Sequence, residues 1–281
     1  MKFYKYHALG NDYIVLDPRD QALRMSRTEI VSICDRHCGV GADGILYGPE
    51  QSETCDFSLR IFNPDSSEAE KSGNGLRIFS RYLWDQSPVS HEMFTIQTKG
   101  GAVHSTVGKN GLSVAVGMGK VGFSHDRTVV ADVARPINVT IQGTEFTCYL
   151  ANVGNPHCVI FTDEIAEEYV KKYGDLISRN SRFNKGSNVQ LVKILGRESI
   201  QIGIWERGAG YTLASGSSST AAACVAHSLG YCDSVVNVHM PGGVIEIKID
   251  EQYQATMTGE VRKICEGVIS DEVLQKKPKS G

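Results

Sequence analysis

The chain has 281 residues, 41% of them apolar and 22% charged, with a formal net charge of −3. Such a composition belongs to a globular chain long enough for two domains, each with its own core. It gives no ground for nucleic acid or an anionic membrane as partner: no dense Lys/Arg cluster offsets the net charge, and no window reaches the ~18 apolar residues of a membrane helix.

Met1 to His7 alternates like a strand and lacks the pattern of a secretory leader, so the cytoplasm is the expected location. Residues 2–7 and 13–17 are expected to pair as a hairpin around a Gly10-Asn11-Asp12 turn. A helix is expected from Thr28 to His37, with Ser26 or Thr28 near its start. Leu59 to Phe62 reads as a strand. After a polar excursion, Ser72-Gly73-Asn74-Gly75 opens a helix that carries Leu76, Ile78, Phe79 and Leu83. Residues 95–98, 102–107 and 112–116 are expected as antiparallel strands, the last two joined by Lys109-Asn110-Gly111. Residues 117–136 form the expected crossing between two halves.

In the second half, 139–141 and 145–153 are expected as strands, 163–173 as a charged amphipathic helix, and 189–194, 199–204, 235–240 and 244–249 as strands. Pro241-Gly242-Gly243 joins the last pair. The end of the chain, Lys276 to Gly281, reads as a solvated tail. The eight cysteines, at 34, 38, 55, 148, 158, 224, 232 and 265, are expected to be free and mostly buried thiols. Cys34 and Cys38, placed four apart in an expected helix, have no second pair at zinc-like spacing, so no metal is expected.

The second half repeats the landmarks of the first. Leu9-Gly10-Asn11 corresponds to Val153-Gly154-Asn155, Gly41-Ala42-Asp43 to Gly186-Ser187-Asn188, and Ser72-Gly73 to Ser215-Gly216, at offsets of 144, 145 and 143 residues. In both halves Ser-Gly follows the polar residue after a strand, Asn63 or Glu206, by nine residues. Four landmarks in order indicate a long-period internal repeat. The architecture expected is α+β: two pseudo-symmetric domains, each a mainly antiparallel sheet wrapped around a central helix, with the active site in the cleft between them. Their bounds are expected at 1–117 and 118–265, with 266–281 as a C-terminal extension.

Ser72 and Ser215 each stand where a helix N-cap belongs, so facing helix starts would offer backbone N–H donors and positive dipole ends to an anion. Neither glycine loop holds Lys or Arg, which suits a carboxylate. Asn11, Asn63, Asn74, Asn155 and Asn188 supply neutral amides. Arg207 would pair a second carboxylate and Glu206 an ammonium, so an amino acid is the small-molecule partner that fits. Each Asn taken singly is equally at home as a turn former.

The motifs His7-Ala-Leu-Gly-Asn-Asp12, Ile61-Phe-Asn-Pro-Asp65, Gly73-Asn-Gly-Leu-Arg77, Asn155-Pro-His157, Asn188-Val189 and Trp205-Glu-Arg-Gly-Ala-Gly210 resemble diaminopimelate epimerase and its relatives, from about residue 1 to 265. The resemblance implies an amino-acid racemase or epimerase of lysine biosynthesis that uses no pyridoxal phosphate or other cofactor. It is compatible with a homodimer. One thiolate of the family removes the α-proton and a thiol on the other face returns one. Carried over, Asn11, Asn63, Asn155, Asn188 and Arg207 hold the distal end of the substrate. Glu206 and the loops Gly73-Asn74 and Gly216-Ser217 hold the reacting centre. Gly44 replaces a polar contact of some members, and Thr220 a further cysteine of others.

The departure is at the bases, where the resemblance places Ser72 and Ser215 in the positions of the two catalytic cysteines. A thiol titrates near ~8.5 and falls further at a helix N-terminus, whereas an alcohol is a far weaker acid and needs an adjacent base. His157, as an auxiliary, and Glu206 are the candidates for that base. Three readings stand at this point: a divergent epimerase with serine bases, an enzyme silenced by Cys-to-Ser exchange, and an amino-acid-binding homologue without activity. A one-base isomerase or dehydratase of the same superfamily is the further enzyme alternative.

Overall fold

The computed structural model describes residues 1–20, 25–87, 89–124, 134–183 and 186–274. The expected tail from 275 onward and residues 125–133 of the expected crossing lie outside them. The chain separates into two compact units, Met1–Val116 together with the chain from Glu260 onward, and Gly117–Gly259.

In the first unit the order is β1 (Lys2–Ala8), β2 (Asn11–Leu16), α1 (Arg27–Cys34), β3 (Ile45–Glu50), β4 (Phe57–Phe62), β5 (Glu68–Ala69), α2 (Gly73–Asp85), β6 (Phe94–Thr98), β7 (Gly101–Val107) and β8 (Ser113–Lys120), the last running into the boundary. The second unit holds β9 (Pro136–Ile141), β10 (Thr144–Asn152), β11 (Pro156–Phe161), α3 (Glu167–Ser178), β12 (Asn188–Gly196), β13 (Ser199–Glu206), β14 (Gly210–Thr212), α4 (Gly216–Ser228), β15 (Val235–Met240), β16 (Gly243–Ile249) and β17 (Gln254–Glu260). The chain then returns to the first unit with β18 (Arg262–Val268) and α5 (Asp271–Leu274).

The pairing rule is the same in each unit. In the first, β18, β1 and β2 are antiparallel in turn, β2 joins β3 in parallel, β3 pairs β4 and β4 pairs β5 antiparallel, β4 joins β6 in parallel, and β6, β7 and β8 close antiparallel. In the second, β9 to β11 are antiparallel, β11 joins β12 in parallel, β12, β13 and β14 are antiparallel, β13 joins β15 in parallel, and β15 to β17 are antiparallel. The fold is mixed α+β. No helix among the described residues is long and apolar enough to cross a membrane.

Each unit wraps its strands on one buried helix. Leu76, Ile78, Phe79 and Leu83 of α2 are fully buried, and the helix packs on β1, β2 and β7. Each such side chain contributes ~1.5–3 kcal/mol through burial. Helix α4 is buried all round: Ser218 to Ala226 are fully buried, and the helix touches β10, β11, β12, β13, β15 and β16. A helix buried on every side belongs in the centre of its unit, and small side chains let strands approach it from all round.

Four boundaries differ from those read in the sequence. The first turn is Leu9-Gly10, not Gly10-Asn11-Asp12: both residues have positive φ (55° and 88°) and Ala8 pairs with Asn11. Two positive φ values make the turn whose twist matches that of the strands it joins, and Asn11 becomes the first residue of β2. Helix α1 starts from Ser26, which forms a capping box with Glu29, and stops at Cys34 rather than His37. Asp35 ends it by taking the N–H groups of His37 and Cys38 on its own carboxylate, so Cys34 is a buried helix residue while Cys38 is exposed beyond the helix.

Helix α3 begins at Glu167, after a turn in which Thr162 and Glu164 accept the N–H groups of Glu164 and Ala166. It continues to Ser178 because Val170, Tyr173 and Ile177 face the core. The second domain does not extend to 265. Strand β18 pairs with β1 from Lys2↔Val268 to His7↔Arg262, which returns the chain to the first unit. Five consecutive exposed residues, Arg262 to Glu266, give β18 no alternation by which it could be read in advance.

Candidate active site

In the first unit the candidate residues gather at the start of α2. Ser72 is its N-cap, extended at φ −138° and ψ 116°, and its Oγ accepts the Gly75 N–H at 3.0 Å. A Cβ at position 75 would lie 3.0 Å from Leu46 and 3.2 Å from the Ser72 side chain, so glycine lets the cap close on its helix. The N–H groups of Gly73 and Asn74 remain at the helix start, where a first turn has no internal acceptors. The Tyr13 hydroxyl stands 3.2 Å from Ser72 Oγ.

A chain of amides leads away from this point. Asn74 Nδ2 donates to Asn11 Oδ1 at 3.1 Å, and Asn11 Nδ2 donates to Asp43 at 2.8 Å. Asp43 and Asp12 both accept from Arg36, and Lys5 pairs with Asp12 at 3.0 Å. Behind Asn74, fully buried Arg77 donates Nη2 to Asn74 Oδ1 at 2.6 Å, while its Nε and Nη1 have no partner. Asn63 lies outside this chain. Its Nδ2 donates to Ser67 at 2.9 Å within the turn that ends β4.

The second unit builds the corresponding cap. Ser215, at φ −148° and ψ 124°, precedes α4 and accepts the Ser218 N–H at 3.4 Å. Its neighbour is a carboxyl group, Glu206 at the end of β13, whose ionised form Ser215 favours. Burial pushes the Glu206 carboxyl above the ordinary carboxylate range, and Ser215 opposes that shift. Gly216 and Ser217 form the first turn of α4. Thr220 returns its hydroxyl to the Gly216 carbonyl at 2.8 Å, a local bond that satisfies a buried alcohol inside a helix.

Parallel pairing of β11 with β12 sets His157 beside Asn188. His157 Nε2 and Asn155 Oδ1 are 2.9 Å apart, Asn188 donates to the Pro156 carbonyl at 2.9 Å, and Asn188 Oδ1 accepts the Arg207 N–H at 3.0 Å. Asn155, Asn188 and Arg207 are thus brought together at one end of the sheet. Arg207 also lines a cavity of about 640 Å³ with Asp175, Ser178, Phe183, Gly186 and Trp205. His157 bonds Asn155, while Ser215 favours the ionised form of Glu206, so the carboxylate and not the imidazole is the base that interacts with a serine.

The imidazole of His157 is wholly buried, which pushes its pKa down to about 3. Below ~6.5 the unfolded chain binds a proton that the folded ring refuses, so this group makes stability fall as pH drops from 6.5 toward 3. Asp12 and Asp17, held low despite burial by bonds from Arg36, Lys5 and Arg19, act only further down, below the ordinary carboxylate value, and Glu206 acts in the opposite sense. Replacing His157 by Gln is expected to make the loss of stability between pH 6.5 and 4.5 shallower by about 2 kcal/mol. Urea midpoints at the two pH values check this, and an unchanged slope would contradict it.

Tyr13, Arg77 and Asp43 were not candidates from the sequence. Tyr13 reads as one more strand residue, and Arg77 only as the last residue of the motif Gly73-Asn-Gly-Leu-Arg77.

A family profile described as Diaminopimelate epimerase matches residues 3–124 and 149–264, most of the chain in two segments. The chain belongs to the diaminopimelate epimerase family. A relative named Diaminopimelate epimerase 2, from Nostoc sp. (strain PCC 7120 / SAG 25.82 / UTEX 2576), is 52% identical over 277 residues, which cover 98% of this chain and 97% of the relative. A diaminopimelate epimerase from Caldanaerobacter subterraneus subsp. tengcongensis is 37% identical, covering 96% and 99%.

Among solved structures, a hydroxyproline epimerase from Agrobacterium vitis superposes with TM-score 0.70 at 13% identity, over 96% of this chain and 93% of that one. A phenazine biosynthesis protein of the PhzF family from Bacillus anthracis gives TM-score 0.70 at 14% identity, over 95% and 98%. At those identities they share the fold of this diaminopimelate epimerase family member.

Proposed function

We propose that this chain is a cofactor-independent isomerase that inverts an α-carbon of diaminopimelate, LL to meso, by two-base proton transfer with Ser72 and Ser215 as the proton carriers. The observation that supports the reading best is the duplicated cap. Each serine accepts the N–H three residues on from the start of a buried helix; the Ser72 hydroxyl touches Tyr13, and Ser215 favours the ionised form of Glu206. The reading requires both serines to reach one α-carbon.

The chemistry follows from those groups. Ionised Glu206 takes the Ser215 proton as Ser215 Oγ takes the proton from Cα, so the charge rests on a carboxylate and not on an alkoxide. The carbanion delocalises into the α-carboxylate. Its oxygens accept first-turn N–H groups of Gly73, Asn74, Gly216 and Ser217 at the positive ends of the two helices, which stabilise charge as it develops. Ser72 delivers a proton from the other face. Asn11, Asn63, Asn155, Asn188 and Arg207 hold the distal ammonium and carboxylate of the substrate.

A second reading rests on the same caps. An alcohol that is fully occupied in holding a helix start would leave an amino-acid-binding homologue with the pocket and no reaction. Chiral chromatography of LL-diaminopimelate incubated with the chain separates the two, since meso product supports the isomerase and tight binding without product supports the binder.

The proposal also fixes the acid limb of the rate profile. Glu206 must be ionised to accept a proton, and burial raises its pKa, so kcat/KM is expected to rise with pH through a value above the ordinary carboxylate range. Glu206→Gln is expected to lower kcat by two to three orders of magnitude, with that acid limb lost from the residual activity. An acid limb that survives the substitution would assign the ionisation to another group.

A further inference from the structure

We propose that Tyr13 is the positioning residue that makes Ser72 usable as a proton carrier, its phenol holding the serine hydroxyl and bearing the charge that would otherwise fall on an alkoxide. The inference rests on the epimerase reading above and assigns a specific partner to Ser72.

Three observations carry it. Tyr13 lies in β2, is 7% exposed, and puts its hydroxyl 3.2 Å from Ser72 Oγ. Ser72 Oγ already accepts the Gly75 N–H at 3.0 Å, so a bond donated by the phenol leaves the serine proton free to point away from its helix. The third observation is the space the ring occupies. A Cβ on Gly44 would come within 2.6 Å of Tyr13 Cε1 and 2.5 Å of the Phe62 carbonyl oxygen. The ring therefore reaches Ser72 only because position 44 has no side chain, and Gly44 and Tyr13 act as a pair.

The two serines thus have different partners. Ser215 has a carboxylate, a ready proton acceptor, and Ser72 has a phenol, a ready proton donor. When Ser72 protonates the carbanion, the carbanion's electron pair forms the new C–H bond with the Ser72 hydroxyl proton, the pair of the broken O–H bond stays on Ser72 Oγ and takes the phenol proton, and the charge ends on the phenolate. In the reverse direction the phenolate takes the Ser72 proton as Ser72 takes the proton from Cα. Water resets the pair after a turnover by taking the Glu206 proton and returning one to the phenolate. A phenol titrates near ~10 in model peptides, not far above the ~8.5 of a thiol, whereas an alcohol is much the weaker acid.

The test is a double-mutant cycle on the rate of LL- to meso-diaminopimelate conversion, with Tyr13→Phe made in the starting chain and in a Ser72→Cys chain. A thiol is its own acid, so the phenol matters much less beside it. Tyr13→Phe is expected to cost about 100-fold beside Ser72, with loss of the alkaline part of the pH profile, and at least about tenfold less beside the thiol. Equal losses in the two backgrounds would mean a purely structural role and overturn the proposal, as would a loss under about threefold in the starting chain. If the starting chain is inert and a Ser72→Cys/Ser215→Cys chain turns over, Tyr13 does not make the serine usable, although the pocket reading stands. If both are inert, the epimerase reading falls and the role of Tyr13 with it.

Discussion

Replacing Ser215 by alanine is expected to cut epimerisation by about three orders of magnitude while lowering stability by only about 1 kcal/mol. The two effects have separate causes. The small one is the lost cap, since the Ser218 N–H at 3.4 Å loses its acceptor at the start of α4. The large one is the lost proton carrier between Glu206 and Cα. Ser215→Asn separates them, because asparagine caps a helix as well as serine does and cannot relay a proton in this way. Thermal unfolding is expected to show Ser215→Asn close to the starting chain and Ser215→Ala below it, with both equally inactive. The same pair of substitutions at Ser72, which caps α2 through Gly75 at 3.0 Å, is expected to behave alike. Activity recovered by Asn would mean that the serines only shape the helix starts.

The second large effect is expected at Arg77. Its side chain is fully buried, its one hydrogen bond goes to Asn74 Oδ1 at 2.6 Å, and among the described residues no carboxylate pairs with it. Burial pushes its pKa down to about 10, which still leaves it charged at neutral pH. A buried cation with two unsatisfied nitrogens costs stability, so its presence calls for a compensating use. That use is local. Arg77 holds Asn74 in the orientation that donates to Asn11, and its charge sits one turn inside the helix whose start is assigned to the substrate carboxylate.

Arg77→Ala opens a cavity and leaves Asn74 Oδ1 unpaired, and is expected to cost about 3 kcal/mol by urea denaturation. Arg77→Met keeps most of the volume and removes the charge. It is expected to be within about 1 kcal/mol of the starting chain, on the stable side if anything, while kcat/KM falls about tenfold, mostly through KM. An Arg77→Met chain as destabilised as Arg77→Ala would show that the guanidinium is a structural group and nothing more.

How much of this was legible in the sequence follows from the physics of each feature. The repeat was legible because a strand, a loop and a Ser-Gly helix start leave a residue pattern, and the same pattern occurs twice. The sign of each strand pairing was not, since parallel and antiparallel neighbours depend on which distant strands meet, as with β2 and β3 or β13 and β15. The return of β18 to β1 escaped notice because its exposed run of charged and apolar residues carries no period of two. Helix α3 was placed too early because Asp163 and Glu164 look like first-turn acids when they in fact precede the helix.

At the site, the serines, the asparagines and Glu206 stood out by position in the repeat. Tyr13 did not, because an aromatic residue in a buried strand carries no mark of what its hydroxyl touches. The sequence marks Gly44 only as a missing contact, and the ring that fills its place belongs to Tyr13, thirty-one positions earlier. The motif Asn155-Pro-His157 suggests an auxiliary base at His157. Full burial keeps it neutral and gives it to Asn155.

The central claim is that serine oxygens on two faces of one α-carbon exchange its proton, and NMR of LL-diaminopimelate turned over by the unsubstituted chain in D2O tests it most directly. Two-base transfer predicts that early in the reaction the meso product carries deuterium at the inverted carbon while the recovered LL substrate retains its proton. Deuterium appearing equally in recovered substrate and product would point to a single base that serves both faces, and no deuterium in either would contradict the claim outright.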